Sequence, residues 1–82
     1  MQPVQKLIGL NIKVARTKRS MSQAMVANKL GVEPNYLSRI ERGTVGTPPE
    51  RLYEIIHILN CDLTEIFPEP SEVETQFNRT EQ

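Results

Sequence analysis

The chain is poor in the residue types that most enzymes and secreted proteins need. It has one cysteine, one histidine, no tryptophan and a formal net charge of +0 over 82 residues. A lone cysteine excludes an internal disulfide and fits a reducing cytoplasm. Cys61 lies among apolar residues and reads as a small core hydrophobe. His57 has no second histidine with which to share a metal, and the carboxylates do not cluster in the sequence. No nucleophile–base pair or ligand set stands out, so neither catalysis nor a cofactor is expected. No apolar run approaches the length of a membrane span, no secretion signal opens the chain, and no stretch alternates as a strand does. At this length the expectation is one domain with a core of marginal size.

A pI near 6.6 does not by itself suggest a nucleic-acid binder. The order of the charges does. Up to Thr44, the cations Lys6, Lys13, Arg16, Lys18, Arg19, Lys29, Arg39 and Arg42 meet only Glu33 and Glu41. From Val45 onward, Glu50, Glu54, Asp62, Glu65, Glu69, Glu72, Glu74 and Glu81 meet only Arg51 and Arg79. A basic half followed by an acidic half suits a molecule with one face on phosphate and one in solvent.

The apolar residues recur at helical spacing throughout, so the fold is all-α. A first helix is predicted from Pro3 to Lys18. Val4, Ile8, Ile12 and Ala15 form its core face, and Leu7, Leu10 and Val14 form a second stripe beside them. Ser22 is the candidate N-cap of a second helix, with Met21 and Val26 placed as a hydrophobic staple. A third helix opens at Pro34 behind Glu33, a poor cap. Thr47-Pro48-Pro49-Glu50 predicts a capping box for a fourth helix, whose buried face is Leu52, Ile55, Ile56 and Leu59. Asp62 and Glu65 repeat the pattern for a short fifth helix ending near Pro68. The domain is therefore drawn over 1–67. Residues 68–82 form an acidic, polar tail, either disordered or holding one short helix capped by Ser71 and Glu74 with Val73 and Phe77 on one side.

Within this pattern residues 23–42, QAMVANKLGVEPNYLSRIER, read as a complete helix-turn-helix. Ala27 is the small residue where two helices cross, and Gly31 supplies the turn. Val26, Leu30, Val32, Leu37 and Ile40 fill the inward faces. On the third helix Leu37 and Ile40 point inward with Tyr36 at their flank, leaving Pro34, Asn35, Ser38, Arg39 and Arg42 outward. Such a helix can lie in the major groove of double-stranded DNA, where Asn pairs with adenine and Arg with guanine. Arg42, at the helix end, and Gln23, at the start of the second helix, are placed for phosphates. The candidate DNA contacts are thus Gln23, Asn35, Tyr36, Ser38, Arg39 and Arg42.

At these residues the chain resembles the Xre/Cro family of lambda-repressor-like DNA-binding domains. The resemblance runs from about Ile8 to Phe67. It rests on Ile8-Gly9, Ile12, Arg16, Ser22-Gln23, Ala27, Leu30-Gly31-Val32, the segment Leu37 to Gly43, and Pro48, Leu52, Leu59 and Leu63. It implies a compact five-helix bundle with the helix-turn-helix at helices two and three, and a structural ion pair between Arg16 and Glu41. The chain departs from the pattern at Pro34, where many relatives carry a polar base-reading residue. It also departs at Glu33, beside an expected phosphate, and in the loop Thr44–Thr47, which has no basic side chain.

One such domain makes few contacts, so a homodimer on a two-fold operator is expected. Tyr53, Ile58 and Phe67 are the candidate interface, and the stripe Leu7, Leu10 and Val14 is the rival surface. The leading function is a sequence-specific, homodimeric repressor. The alternative is an antitoxin or other interaction module whose tail binds a partner protein.

Overall fold

The computed structural model describes residues 3–74, and among them the fold is helical without strands. Five helices follow in order: α1 (Pro3–Lys18), α2 (Gln23–Leu30), α3 (Pro34–Arg42), α4 (Pro49–Leu59) and α5 (Leu63–Ile66). Phe77 and the remainder of the tail beyond Glu74 lie outside the described residues.

Local chemistry sets most of the boundaries. The Ser22 hydroxyl accepts the Met25 N–H at 3.0 Å and so caps α2. Met21 packs against the core that includes Val26, as a staple requires. Gly31 ends α2 in the left-handed region, and Gly43 ends α3 in the same way, with φ of 76° and 74°. Asn60, at φ 53°, stops α4. Helix α3 starts at Pro34 with no side-chain bond from Glu33.

Helix α4 departs from expectation. Its N-cap is Pro48, φ −61° and ψ 149°, and no side chain caps it. The second proline of the pair occupies the first helical position, which pushes Thr47 one residue too far out to reach the first-turn N–H groups. In the tail, residues 70–74 form a helical turn. At its start the Glu69 N–H donates to Glu72 Oε2 at 3.2 Å.

The core is contributed by every helix: Ile12 and Ala15, Val26 and Ala27, Leu37 and Ile40, then Leu52, Ile55, Leu59 and Ile66. Helix α1 is the axle, touching α3, α4 and α5, while α2 bridges α3 and α4. Ile8 packs at the edge of the core, whereas Leu10 and Val14 stay more than half exposed. Cys61 is half-buried against the core, and burial holds its thiol above its usual pKa.

Two contacts fix α1 against its neighbours. Gly9 lies flat on the end of α3. A Cβ there would meet the Ile40 carbonyl oxygen and stand 2.6 Å from that of Glu41, so only hydrogen fits. On the other side Asn11 Nδ2 donates to the Ile66 carbonyl at 2.9 Å, and Arg19 grips Glu65 with both terminal nitrogens at 3.2 and 3.0 Å. The Arg19 guanidinium holds the Glu65 carboxyl below the ordinary carboxylate range.

Two outcomes follow. Gly9→Ala must push α1 and α3 apart, at a cost of about 1–3 kcal/mol, read as a lower urea midpoint with unchanged helicity. A carboxyl with a depressed pKa stabilises the fold above the ordinary carboxylate range and loses that contribution as pH falls through its folded value. Acid titration of the melting temperature will therefore show a shallower fall in Glu65→Gln than in the parent. Equal slopes would detach the α1–α5 clamp from acid stability.

Candidate nucleic-acid interface

Helix α3 is short and strongly two-faced. Leu37 and Ile40 are fully buried, while Pro34, Asn35, Arg39 and Arg42 are exposed and Ser38 is half-buried. Tyr36 is half-buried as well, and its ring lies 5.9 Å from the Arg51 guanidinium carbon, a cation–π distance. Arg51 in turn bonds Glu54 at 3.0 Å. The phenol thus sits at the α3–α4 boundary, beside the outward face and not at its centre.

The frame that holds α3 is a buried charge network. Arg16 Nε donates to Glu41 Oε2 at 2.7 Å and its Nη2 to Oε1 at 3.0 Å. The remaining terminal nitrogen donates to the Met21 carbonyl at 2.7 Å. Both residues are nearly buried, 7% and 6% exposed, so the bidentate geometry and the third bond are what make the charges tolerable. Gln23 joins them: its Nε2 donates to Glu41 Oε1 at 2.9 Å. Three helices and the turn before α2 are thereby tied at one carboxylate.

This modifies the sequence expectation for Gln23. One hydrogen of its amide nitrogen is committed to Glu41, which leaves the second hydrogen and the open backbone N–H groups at the start of α2 to face outward. Nothing in the sequence signalled the link, because Gln23 and Glu41 are 18 residues apart and the packing of α2 on α3 creates the contact. The charge asymmetry is also partly consumed inside the fold. Arg16 pairs with Glu41, and Lys18 and Arg19 with Glu65, so these basic residues do not all stand free for phosphate.

The three described arginines outside α3, namely Arg16, Arg19 and Arg51, each hold a carboxylate. Arg39 and Arg42 hold none among the described residues. Unpaired guanidinium groups on an exposed helix face, beside an exposed Asn35, form a surface complementary to an anion with hydrogen-bonding edges. The residues proposed for subunit contact divide. Tyr53 and Phe67 meet with ring centroids 6.5 Å apart. Ile58 lies roughly 140° further round α4 from Tyr53, beside Lys29, Leu30 and His57.

A head of three helices, with the third presented outward and braced from behind, defines a helix-turn-helix protein. The sequence matches the helix-turn-helix family over residues 12–66, and the chain belongs to that family, in its Xre/lambda-repressor-like group. Proteins of this class are DNA-binding transcriptional regulators. Two solved structures of the clp gene regulator ClgR from Corynebacterium glutamicum share the fold. One is 23% identical with a TM-score of 0.75, covering 79% of this chain and 83% of its own. The other is 21% identical with a TM-score of 0.76, covering 98% and 86%. A search of curated protein sequences finds no match.

The network makes a distinct mutational prediction. Arg16→Ala strands a buried carboxylate and is expected to cost about 3–5 kcal/mol in a denaturant melt. Gln23→Ala leaves the ion pair intact and costs about 1 kcal/mol. An Arg16→Ala protein that melts like the parent but fails to bind DNA would assign that guanidinium to phosphate and not to the frame.

Proposed function

We propose that this protein is a sequence-specific, homodimeric transcriptional repressor that blocks a promoter by occupying a two-fold operator. The observation that carries the reading is the pair of uncommitted arginines on α3. Every other described arginine is paired with a carboxylate, so among the described arginines only those of α3 stay free. Asn35, Ser38 and Arg39 read base edges in the major groove. Arg42 meets a phosphate, and Gln23 meets another through the start of α2. Tyr36, held under Arg51, borders the same contact surface.

Two copies supply the specificity that one lacks. The contact between exposed Tyr53 of α4 and half-buried Phe67, just after α5, is the proposed two-fold surface, with Ile58 on its far flank. It sets the two reading helices about one DNA turn, roughly 34 Å, apart. Among the described residues no helix is long and apolar enough to cross a membrane, and we place the regulator in the cytoplasm with its DNA.

Selection of bound duplexes from a random pool tests this directly. A two-fold consensus should emerge, with affinity falling linearly on a log–log salt plot. Arg39→Ala and Asn35→Ala should each relax preference at one or two positions, by about 1–3 kcal/mol of discrimination. Gln23→Ala should weaken all sequences alike. A pool that yields nothing better than random DNA at moderate salt removes the regulator reading.

A further inference from the structure

The face of α1 turned from the core carries an unused helix-pairing seam. Leu7, Leu10 and Val14 are spaced by three and four residues, and Thr17 continues the series, which is the pattern by which one helix grips another. Leu10 and Val14 are 53% and 51% exposed, among the few large apolar side chains the fold leaves bare. The seam is bordered by Lys6 and Lys13 on one side and by Asn11 and Lys18 on the other. Neither Lys6 nor Lys13 pairs with a carboxylate among the described residues. Lys18 reaches Glu65 at 3.5 Å but keeps 65% of its side chain exposed.

Those lysines decide what can lie there. Pairing α1 with the α1 of a second copy in parallel sets Lys13 against Lys18, and antiparallel pairing sets Lys6 against Lys13. Like charges across a helix seam repel in both arrangements. The seam calls instead for an acidic helix with an apolar edge, and the chain itself contains one. The helical turn over 70–74 carries Glu72 and Glu74 around half-buried Val73, with Glu69 just before it. In the sequence Phe77 follows Val73 by four residues. This turn leaves Leu10 and Val14 of its own copy uncovered. It follows directly on Phe67 through Pro68–Pro70, which line a hollow with Leu63, Thr64 and Phe67, so a subunit contact at Phe67 delivers it toward a second molecule.

We propose that the acidic segment beginning at Glu69 docks on the α1 seam of a second copy, so that each subunit gives one arm and receives one. The arm rests on the homodimer proposed above and locks it: Val73 sits on Leu10 and Val14, and Glu69, Glu72 and Glu74 face the lysine borders. An exchange of this kind is isologous and closes with two subunits. It also accounts for the division of charge along the chain, since the surplus anions of one copy meet the surplus cations of the other.

Sedimentation equilibrium of the full chain tests the arm, with circular dichroism confirming the fold of each variant. Val14→Glu, and a chain ending at Pro68, should each weaken the dimer by about tenfold, and their combination should be no worse than either alone. Lys13→Glu should weaken it as well, and adding Glu72→Lys should restore it. A parent chain that is monomeric at all concentrations defeats the dimer and the arm together. A parent dimer broken by Tyr53→Glu but indifferent to Val14→Glu and to truncation keeps the dimer and overturns the arm. Loss with Val14→Glu but not with truncation means another surface covers the seam. A lowered melting temperature on truncating the monomeric Tyr53→Glu variant means the segment folds on its own copy. Either result refutes the exchange.

Discussion

A single carboxylate, that of Glu41, organises the molecule. It sits on the inner side of the reading helix and receives two bonds from Arg16 of α1 and one from Gln23 of α2. Buried charges of this kind stabilise little in net terms, because desolvation offsets the attraction. What they impose is geometry. A bidentate guanidinium admits one approach, so the three helices that meet there have a single relative arrangement. No buried side-chain nitrogen or oxygen among the described residues is left without a partner.

The remainder of the core is arranged around that fixed point. Gly9 lets α1 lie directly against the last turn of α3, and Gly43 approaches the backbone of Lys6 closely enough that a Cβ would stand 2.6 Å from its Cα. These contacts place the start of α1 beside the end of α3, and the Arg16 pair lies further along α1. Helix α5 is then added from outside by Asn11 and by the Arg19–Glu65 grip, whose guanidinium holds the Glu65 carboxyl below its ordinary range.

Much of this was legible in the sequence because it depends on local signals. The spacing of Ile12 with Ala15 and of Leu37 with Ile40, the hydroxyl of Ser22 and the glycines at 31 and 43 each act within a few residues. The bounds of α1, α2 and α3 follow from them. Two kinds of feature were not legible. The first is competition between neighbouring signals: Thr47 resembles a cap, but two prolines after it shift the helix start by one residue. The second is anything created by packing. Gln23 looks like a free amide at a helix end until α3 brings Glu41 to it, and Arg19 looks like part of a basic patch until α5 brings Glu65. Tyr53, Ile58 and Phe67 are all apolar or aromatic, yet the turn of α4 carries Ile58 roughly 140° round from Tyr53, which meets Phe67. The division of charge along the chain was a sound guide to class but a poor guide to individual residues.

In the complex with an operator proposed above, the brace behind α3 has a consequence for how sequence is discriminated. A reading helix pinned by a buried ion pair on its inner face, and by backbone contact at its last turn, cannot shift to suit an imperfect site. Adjustment then falls to the duplex, whose willingness to bend or twist varies with its base steps. In that proposed complex the stiffness of the double helix at positions no side chain reaches becomes part of recognition, set from inside the fold by Arg16 and Glu41.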